Sequence, residues 1–193
     1  LKNQVGLFKN PKSVLIYPKF LETLEENQLN SGFSEIVKHA LIADVEFWKH
    51  LINVELKDLI WEDIISRSIT IKNKIILQDF KENGERKKLN FGHTYGHAIE
   101  SFYLQKQTPI LHGEAIVLGI LLECKISDLT DLEKDEITSY ILSNFPLPHN
   151  PPKNQLISFM LNDKKNHKGK INFSLLKGLG DCSTDNLFNP DEL

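Results

Sequence analysis

Two histidines four residues apart, His93 and His97, lie within residues 86–100, a run that opens on Arg86, continues through Asn90, Gly92 and Gly96 and closes on Glu100. On a helix they share one face. Zinc-type centres take three protein ligands from histidine and carboxylate and leave a coordination position open when the ion works on substrate. Glu35, His93 and His112 make up such a set, each near the start of its own expected helix, and helix ends meeting at one edge of a bundle could bring them together. Taken singly, each has a plainer explanation. A lone histidine on a half-apolar helix is usually structural, and a glutamate in a first turn usually answers the helix dipole. The metalloprotease pattern also spaces histidines by four but requires a glutamate directly after the first, where this chain has Thr94. Gly92 and Gly96 cost helix propensity, so their use is close approach, either of another helix or of a ligand.

Cations stand near these residues or in adjoining loops: Lys38, Lys72, Arg86 and the pair Lys164 and Lys165. A ligand carrying carboxylate and phosphate needs such a cluster, because anions are buried only against paired cations and directed hydrogen bonds. For any one of them, a solvated surface charge is the commoner role.

The elements that must position this chemistry are mainly helical. Residues 14–17 form a short β-branched run, and 22–30 are polar. Ile36, Val37, Ala40, Leu41, Val45 and Trp48 recur at helical spacing, with Ser31 or Ser34 available as N-cap. Further helices are expected from about 58 to 79, 86 to 104, 112 to 128, 132 to 144 and 155 to 161, the third of these apolar nearly all round, as at the centre of a bundle. A turn at 166–169 precedes Ile171, Phe173 and Leu175 alternating with polar residues, a small hairpin. The expected fold is therefore a mainly α helical bundle with a short N-terminal strand segment and a small C-terminal β-hairpin.

The 193 residues suffice for one substantial domain, and 40% hydrophobic with 25% charged residues is ordinary globular composition. A net charge of −3 argues against a broad nucleic-acid-binding surface. Cys124 and Cys182 are too few and too far apart for a disulfide framework, which fits a reducing cytoplasm. No stretch is long and apolar enough to span a membrane. The single methionine is Met160 and the chain opens on Leu1, so it reads as a fragment or a processed product.

Six pieces together resemble 3-dehydroquinate synthases across nearly the whole chain. They are Lys2 and Asn3 with Gly6 and Pro11; Gly32 with Glu35 and Lys38; Lys72, Asp79 and Glu82 to Arg86; the block from Leu89 to Glu100; His112, Gly113 and Glu114; and Asp163 with Lys164 and Lys165. The resemblance implies that Glu35, His93 and His112 bind a divalent metal, zinc with cobalt as the alternative. It also implies that a tightly held NAD serves the full-length enzyme. The implied reaction, in the shikimate pathway, converts 3-deoxy-D-arabino-heptulosonate 7-phosphate to 3-dehydroquinate and phosphate. By the same resemblance Lys72 and Arg86 meet the substrate carboxylate, Asn3, Asn90, His97 and Lys164 surround the phosphate, Lys165 can exchange roles with Lys164, and Lys2 lies near the cleft. Lys38 stands beside the metal and the reacting hydroxyls, so the implied catalytic set is Lys38, Lys72, Arg86, Asn90 and His97.

Two departures from the family pattern are visible. Phe80 replaces an acidic residue commonly found after Asp79, and the family's N-terminal dinucleotide-binding half has no counterpart here. The expectation is thus a segment, 1–30, joining the NAD-binding domain, and a helical metal- and substrate-binding domain, 31–193, inactive alone and homodimeric in its parent enzyme. The competing expectations are a related sugar-phosphate cyclase of the 2-deoxy-scyllo-inosose or valiolone synthase type, and a noncatalytic helical binding module. Metal-dependent alcohol dehydrogenases lack the histidine block.

Overall fold

The computed structural model describes residues 11–161 and 169–193. Lys2, Asn3, Lys164, Lys165 and most of the turn expected at 166–169 lie outside the described residues. The helices are α1 (Glu26–Ala43), α2 (Val45–Ile52), α3 (Trp61–Gln78), α4 (His93–Gln105), α5 (His112–Lys125), α6 (Asp131–Asn144) and α7 (Lys153–Leu161), followed by strands β1 (Ile171–Gly178) and β2 (Asp181–Phe188). Short 3-10 turns cover Pro18–Thr23, Leu56–Asp58, Glu85–Asn90 and Pro190–Glu192.

The helix α5 is the axis of the bundle. Ala115, Ile116, Val117 and Ile120 are all buried, and α1, α4 and α6 pack around it. On one side Phe33, Trp48 and Phe47 of α1 and α2 meet Phe145 and Ile141 in the larger core. On the other, Tyr95 and Ile99 of α4 meet Met160 of α7 and Phe173 of β1. Glycines let these helices touch at backbone distance. A side chain at Gly119 would overlap the Gly92 carbonyl, and one at Gly113 would overlap the backbone of Ser31 on α1. The close approach expected of Gly92 and Gly96 is therefore of helix to helix, with Ile120 and Ile116 of α5 filling the space.

The C-terminal hairpin forms as expected, antiparallel, pairing Ile171 with Phe188 and Leu176 with Cys182. It also fastens the site. Ser174 Oγ donates to the Lys87 carbonyl (2.7 Å), Thr94 Oγ1 to the Asn172 carbonyl (3.2 Å), and Gly180 N–H to the Leu41 carbonyl (2.8 Å).

Several expectations need correction. Residues 14–17 form no strand, because no strand among the described residues pairs with their backbone and a lone strand has little stability in water. Val14 and Leu15 are 72% and 96% exposed, and among the described residues regular structure starts with the 3-10 turn at Pro18. The helix expected from Ser34 begins eight residues earlier, at Glu26, so part of the polar stretch 22–30 is helical and Ser31 and Ser34 lie inside α1 rather than capping it. It ends at Asp44, whose side chain accepts from Phe47 N–H at 2.9 Å and starts α2 as a new helix. The helix expected from 86 to 104 is divided. Gly92, at φ +77°, turns the chain between the 3-10 turn and α4, a left-handed conformation that suits glycine.

Candidate metal centre

Glu35 sits midway along α1, while His93 and His112 are the first residues of α4 and α5. One ligand atom from each lies within 4.8 Å of the other two. Glu35 Oε1 is 3.5 Å from His93 Nε2 and 3.5 Å from His112 Nε2. The opposite ring nitrogens are already engaged: His93 Nδ1 with the Phe91 carbonyl, His112 Nδ1 with Glu100 Oε1, both at 3.1 Å. Each Nδ1–H donates to its oxygen partner, so Nε2 is the ring atom that either histidine would offer to an ion beside Glu35. Such outer partners fix the tautomer and orientation of a ligating histidine. Two imidazole nitrogens and a carboxylate oxygen fit the donor set of a zinc-type ion.

The surroundings keep Glu35 ionised and therefore able to face a cation. Burial works to raise the Glu35 pKa, but the His112 hydrogen bond and the Lys38 charge outweigh it and hold the carboxyl well below its ordinary range. His93 is pushed down to about 3 by burial and by the Lys38 charge, so it is neutral and ready to ligate. His112 is raised to about 9 by its bonds to Glu100 and Glu35. Lys38, 2% exposed, places its ammonium 2.5 Å from Glu35 Oε2 and donates to the Leu89 carbonyl at 2.8 Å. Burial lowers its pKa against the opposing pull of Glu35.

Of the other residues singled out from sequence, His97 lies against the two ligand histidines, its ring centroid 5.3 Å from His93 and 6.4 Å from His112. Asn90 is held by Glu82, its Nδ2 donating to Oε1 at 2.8 Å. Arg86 is tied into its loop through Nη1 to the Phe80 carbonyl at 2.9 Å. Lys72 is exposed on α3, near enough for its charge to act on Lys38 and His39. A cavity of about 420 Å³ opens beside Asn90 and Thr94, with Glu82, Lys87, Ser174 and Asp185 on its wall.

Sequence reasoning gave no role to three supporting residues. Asp79 gathers the loop before Arg86, its carboxylate accepting from Asn83 N–H (3.0 Å), Gly84 N–H (2.7 Å) and Arg86 N–H (3.2 Å). Glu100 orients His112. Glu123, fully buried, accepts from Gly92 N–H at 2.6 Å, Thr94 N–H at 3.1 Å and Tyr95 N–H at 3.2 Å. A carboxylate closing an otherwise apolar, buried helix was the one available signal for it, since such a group must find donors.

The family described as "3-dehydroquinate synthase C-terminal" matches residues 32–166. A 3-dehydroquinate synthase of Parabacteroides distasonis is 38% identical over 190 residues, covering 94% of this chain and 54% of its own length. That of Halalkalibacterium halodurans is 39% identical over 192 residues, covering 93% and 52%. The chain therefore spans about half the length of these curated relatives. Among solved structures, 2-epi-5-epi-valiolone synthase from Streptomyces hygroscopicus, with NAD+ and Zn2+ bound, superposes with a TM-score of 0.81 at 23% identity, over 98% of this chain and 56% of that one. A 2-deoxy-scyllo-inosose synthase complexed with carbaglucose-6-phosphate, NAD+ and Co2+ gives 0.67 at 21% identity, over 88% and 51%. The two solved structures share the fold. With its matched segment and the identity to its relatives over nearly its whole length, the chain belongs to the 3-dehydroquinate synthase family, in the part described as C-terminal.

Proposed function

We propose that this chain is the metal- and substrate-binding half of a 3-dehydroquinate synthase, a carbon–oxygen lyase acting on 3-deoxy-D-arabino-heptulosonate 7-phosphate to give 3-dehydroquinate and phosphate. The observation that carries the reading is the pair of Nε2 atoms aimed at Glu35 with both Nδ1 positions engaged. Glu35, His93 and His112 would hold the ion, zinc or cobalt, as in the structural neighbours. A bound divalent ion supplies Lewis acidity to a chelated hydroxyl and to the carbonyl formed from it.

The remaining roles belong to the chain's own side chains. Lys38, buried beside Glu35, faces the reacting hydroxyls and can hold or move a proton at Nζ. His97, edge-on to His93 and close to His112, takes a phosphate oxygen together with Asn90. Arg86 and Lys72 pair with the substrate carboxylate. Lys2, Asn3, Lys164 and Lys165 complete the anion contacts by resemblance alone. In the parent enzyme residues 1–30 join an NAD-binding domain to 31–193, and the assembly is a cytoplasmic homodimer of the shikimate pathway.

The test is phosphate release from the heptulosonate phosphate with zinc and NAD supplied. We expect none from the 193-residue chain alone. Turnover should appear when a separately expressed N-terminal half is added, and disappear in His93→Ala. Robust turnover by the chain alone would overturn the assignment of the cofactor to the other half. The reading as a related cyclase has only the shared fold behind it, a TM-score of 0.81 at 23% identity to the valiolone synthase, and against it stands 38–39% identity to the 3-dehydroquinate synthases. Turnover of a sugar phosphate lacking the carboxylate, in preference to the heptulosonate, would decide for it.

A further inference from the structure

A helix start leaves backbone N–H groups without intrahelical partners, and a side chain at the N-cap ordinarily accepts one or two of them. At the start of α4 the N-cap is Gly92, which has no side chain to offer. The acceptor comes instead from 31 positions along the chain. Glu123, near the end of α5, directs Oε2 to Gly92 N–H and Oε1 to Thr94 N–H and Tyr95 N–H. These three amides bracket His93 in sequence.

The same helix carries His112 at its other end and Gly119 one turn before Glu123. Gly119 brings the α5 backbone against the Gly92 carbonyl, and Glu123 draws in the amides that follow. One helix thereby holds His112 by covalent continuity and the backbone of His93 by three hydrogen bonds. We infer that Glu123 is a positioning residue for the metal centre, fixing the His93 main chain relative to His112 so that both Nε2 atoms can reach one ion. It acts through the α4 backbone, by its bonds to the amides of Gly92, Thr94 and Tyr95. The inference rests on the metal reading above.

The test compares the wild-type chain with Glu123→Gln and Glu123→Asp by titration with Co2+ alone, following affinity and the visible absorption of the bound ion. Gln keeps the volume but presents one oxygen to three donors and turns an amide N–H2 toward at least one of them. Asp keeps the charge with shorter reach. For Gln we expect affinity to fall roughly tenfold, as for other residues that orient ligands from outside the coordination sphere. The Co2+ absorption should change in shape, and Asp should fall between. A fall in melting temperature accompanies any loss of buried hydrogen bonds, so it does not enter the decision. Folded Gln variant with wild-type affinity and spectrum would overturn the inference while leaving the metal reading standing. Absence of Co2+ binding by the wild-type chain would remove the metal reading itself and this inference with it.

Should neither variant fold, amide hydrogen exchange of the wild-type chain decides. Co2+ should slow exchange at Gly92, Thr94 and Tyr95 by more than at Ile137 and Ile141 of α6. Equal slowing at both sets would mean that the start of α4 is not coupled to the ion, and would overturn the inference.

Discussion

Glu100 and His112 lie on successive helices with Oε1 3.1 Å from Nδ1, so the carboxylate dictates which imidazole nitrogen faces Glu35. Glu100→Gln can present either an amide oxygen or an amide N–H2 to that nitrogen and no longer selects the tautomer. Zinc affinity of the purified chain should fall by about 10- to 100-fold, the usual cost of losing an outer partner of a ligating histidine. Isothermal titration measures it. Unchanged affinity would mean that Glu100 is incidental to the site.

Asp79 acts on a different part of the molecule. Its carboxylate gathers three amides of the loop in which Glu82 adopts φ +60° and from which Arg86 and Asn90 project. In Asp79→Ala the amides of Asn83, Gly84 and Arg86 should exchange with deuterium markedly faster. Metal affinity should stay at the wild-type value, because Glu35, His93 and His112 are held elsewhere. A loss of metal binding together with the loop would show that the two are one unit.

Asp44 ends α1 and begins α2, capping Phe47 N–H while taking both Arg67 nitrogens, Nε at 2.8 Å and Nη2 at 2.7 Å. Losing an N-cap costs about 1 kcal/mol. For a chain of this size that corresponds to a fall in melting temperature of about 2–4 °C in Asp44→Ala. Arg67 and the Phe47 amide hold the carboxyl below its ordinary value of 3.8, so the contribution is complete at neutral pH and disappears as the pH falls through the folded value. Melting curves of the two proteins should accordingly converge in acid.

His39 gives stability a second pH dependence. It is 4% exposed, its Nδ1 bonded to Ser68 Oγ at 2.7 Å, and its Nε2 has no hydrogen-bond partner among the described residues. Burial, then the Lys38 charge, pushes it down to about 3 from 6.5. Between these values the unfolded chain takes up a proton that the folded one refuses, so stability decreases as the pH falls from 6.5 toward 3 and is insensitive to this group above 6.5. His39→Gln should show a shallower decline in urea midpoint across that window. His93, pushed down in the same direction, leaves part of the slope in place.

The helical bundle and the hairpin were legible because their apolar periodicities are long and regular. The clustering of Glu35, His93 and His112 was legible through residue type and through resemblance. What escaped was set by tertiary partners. Residues 14–17 have the composition of a strand, but among the described residues nothing pairs with them. Ser31 looked like a cap for its own helix and instead accepts from Gly113 N–H of α5 at 3.0 Å, a partner 82 positions away. Glu100 and Glu123 share this property, since no local spacing announces a bond to a helix start elsewhere. The break at Gly92 was hidden because a glycine in a helical pattern has the same appearance whether it continues the helix or turns it.

The glycine contacts along α5 have a consequence for ionic radius. Gly113 seats α1 and Gly119 seats α4 against the same helix with no side chain between, so all three ligand-bearing backbones are referenced to one rod. Interfaces lined by long side chains can repack by a few tenths of an ångström; backbone seated on backbone has no such slack. Adjustment to a larger or smaller cation must then come from the torsions of Glu35, the one ligand on a flexible stem. Preference among divalent ions at the proposed centre is accordingly expected to follow helix spacing, and substitutions at Gly113 or Gly119 should shift that preference without altering any of the three proposed ligands.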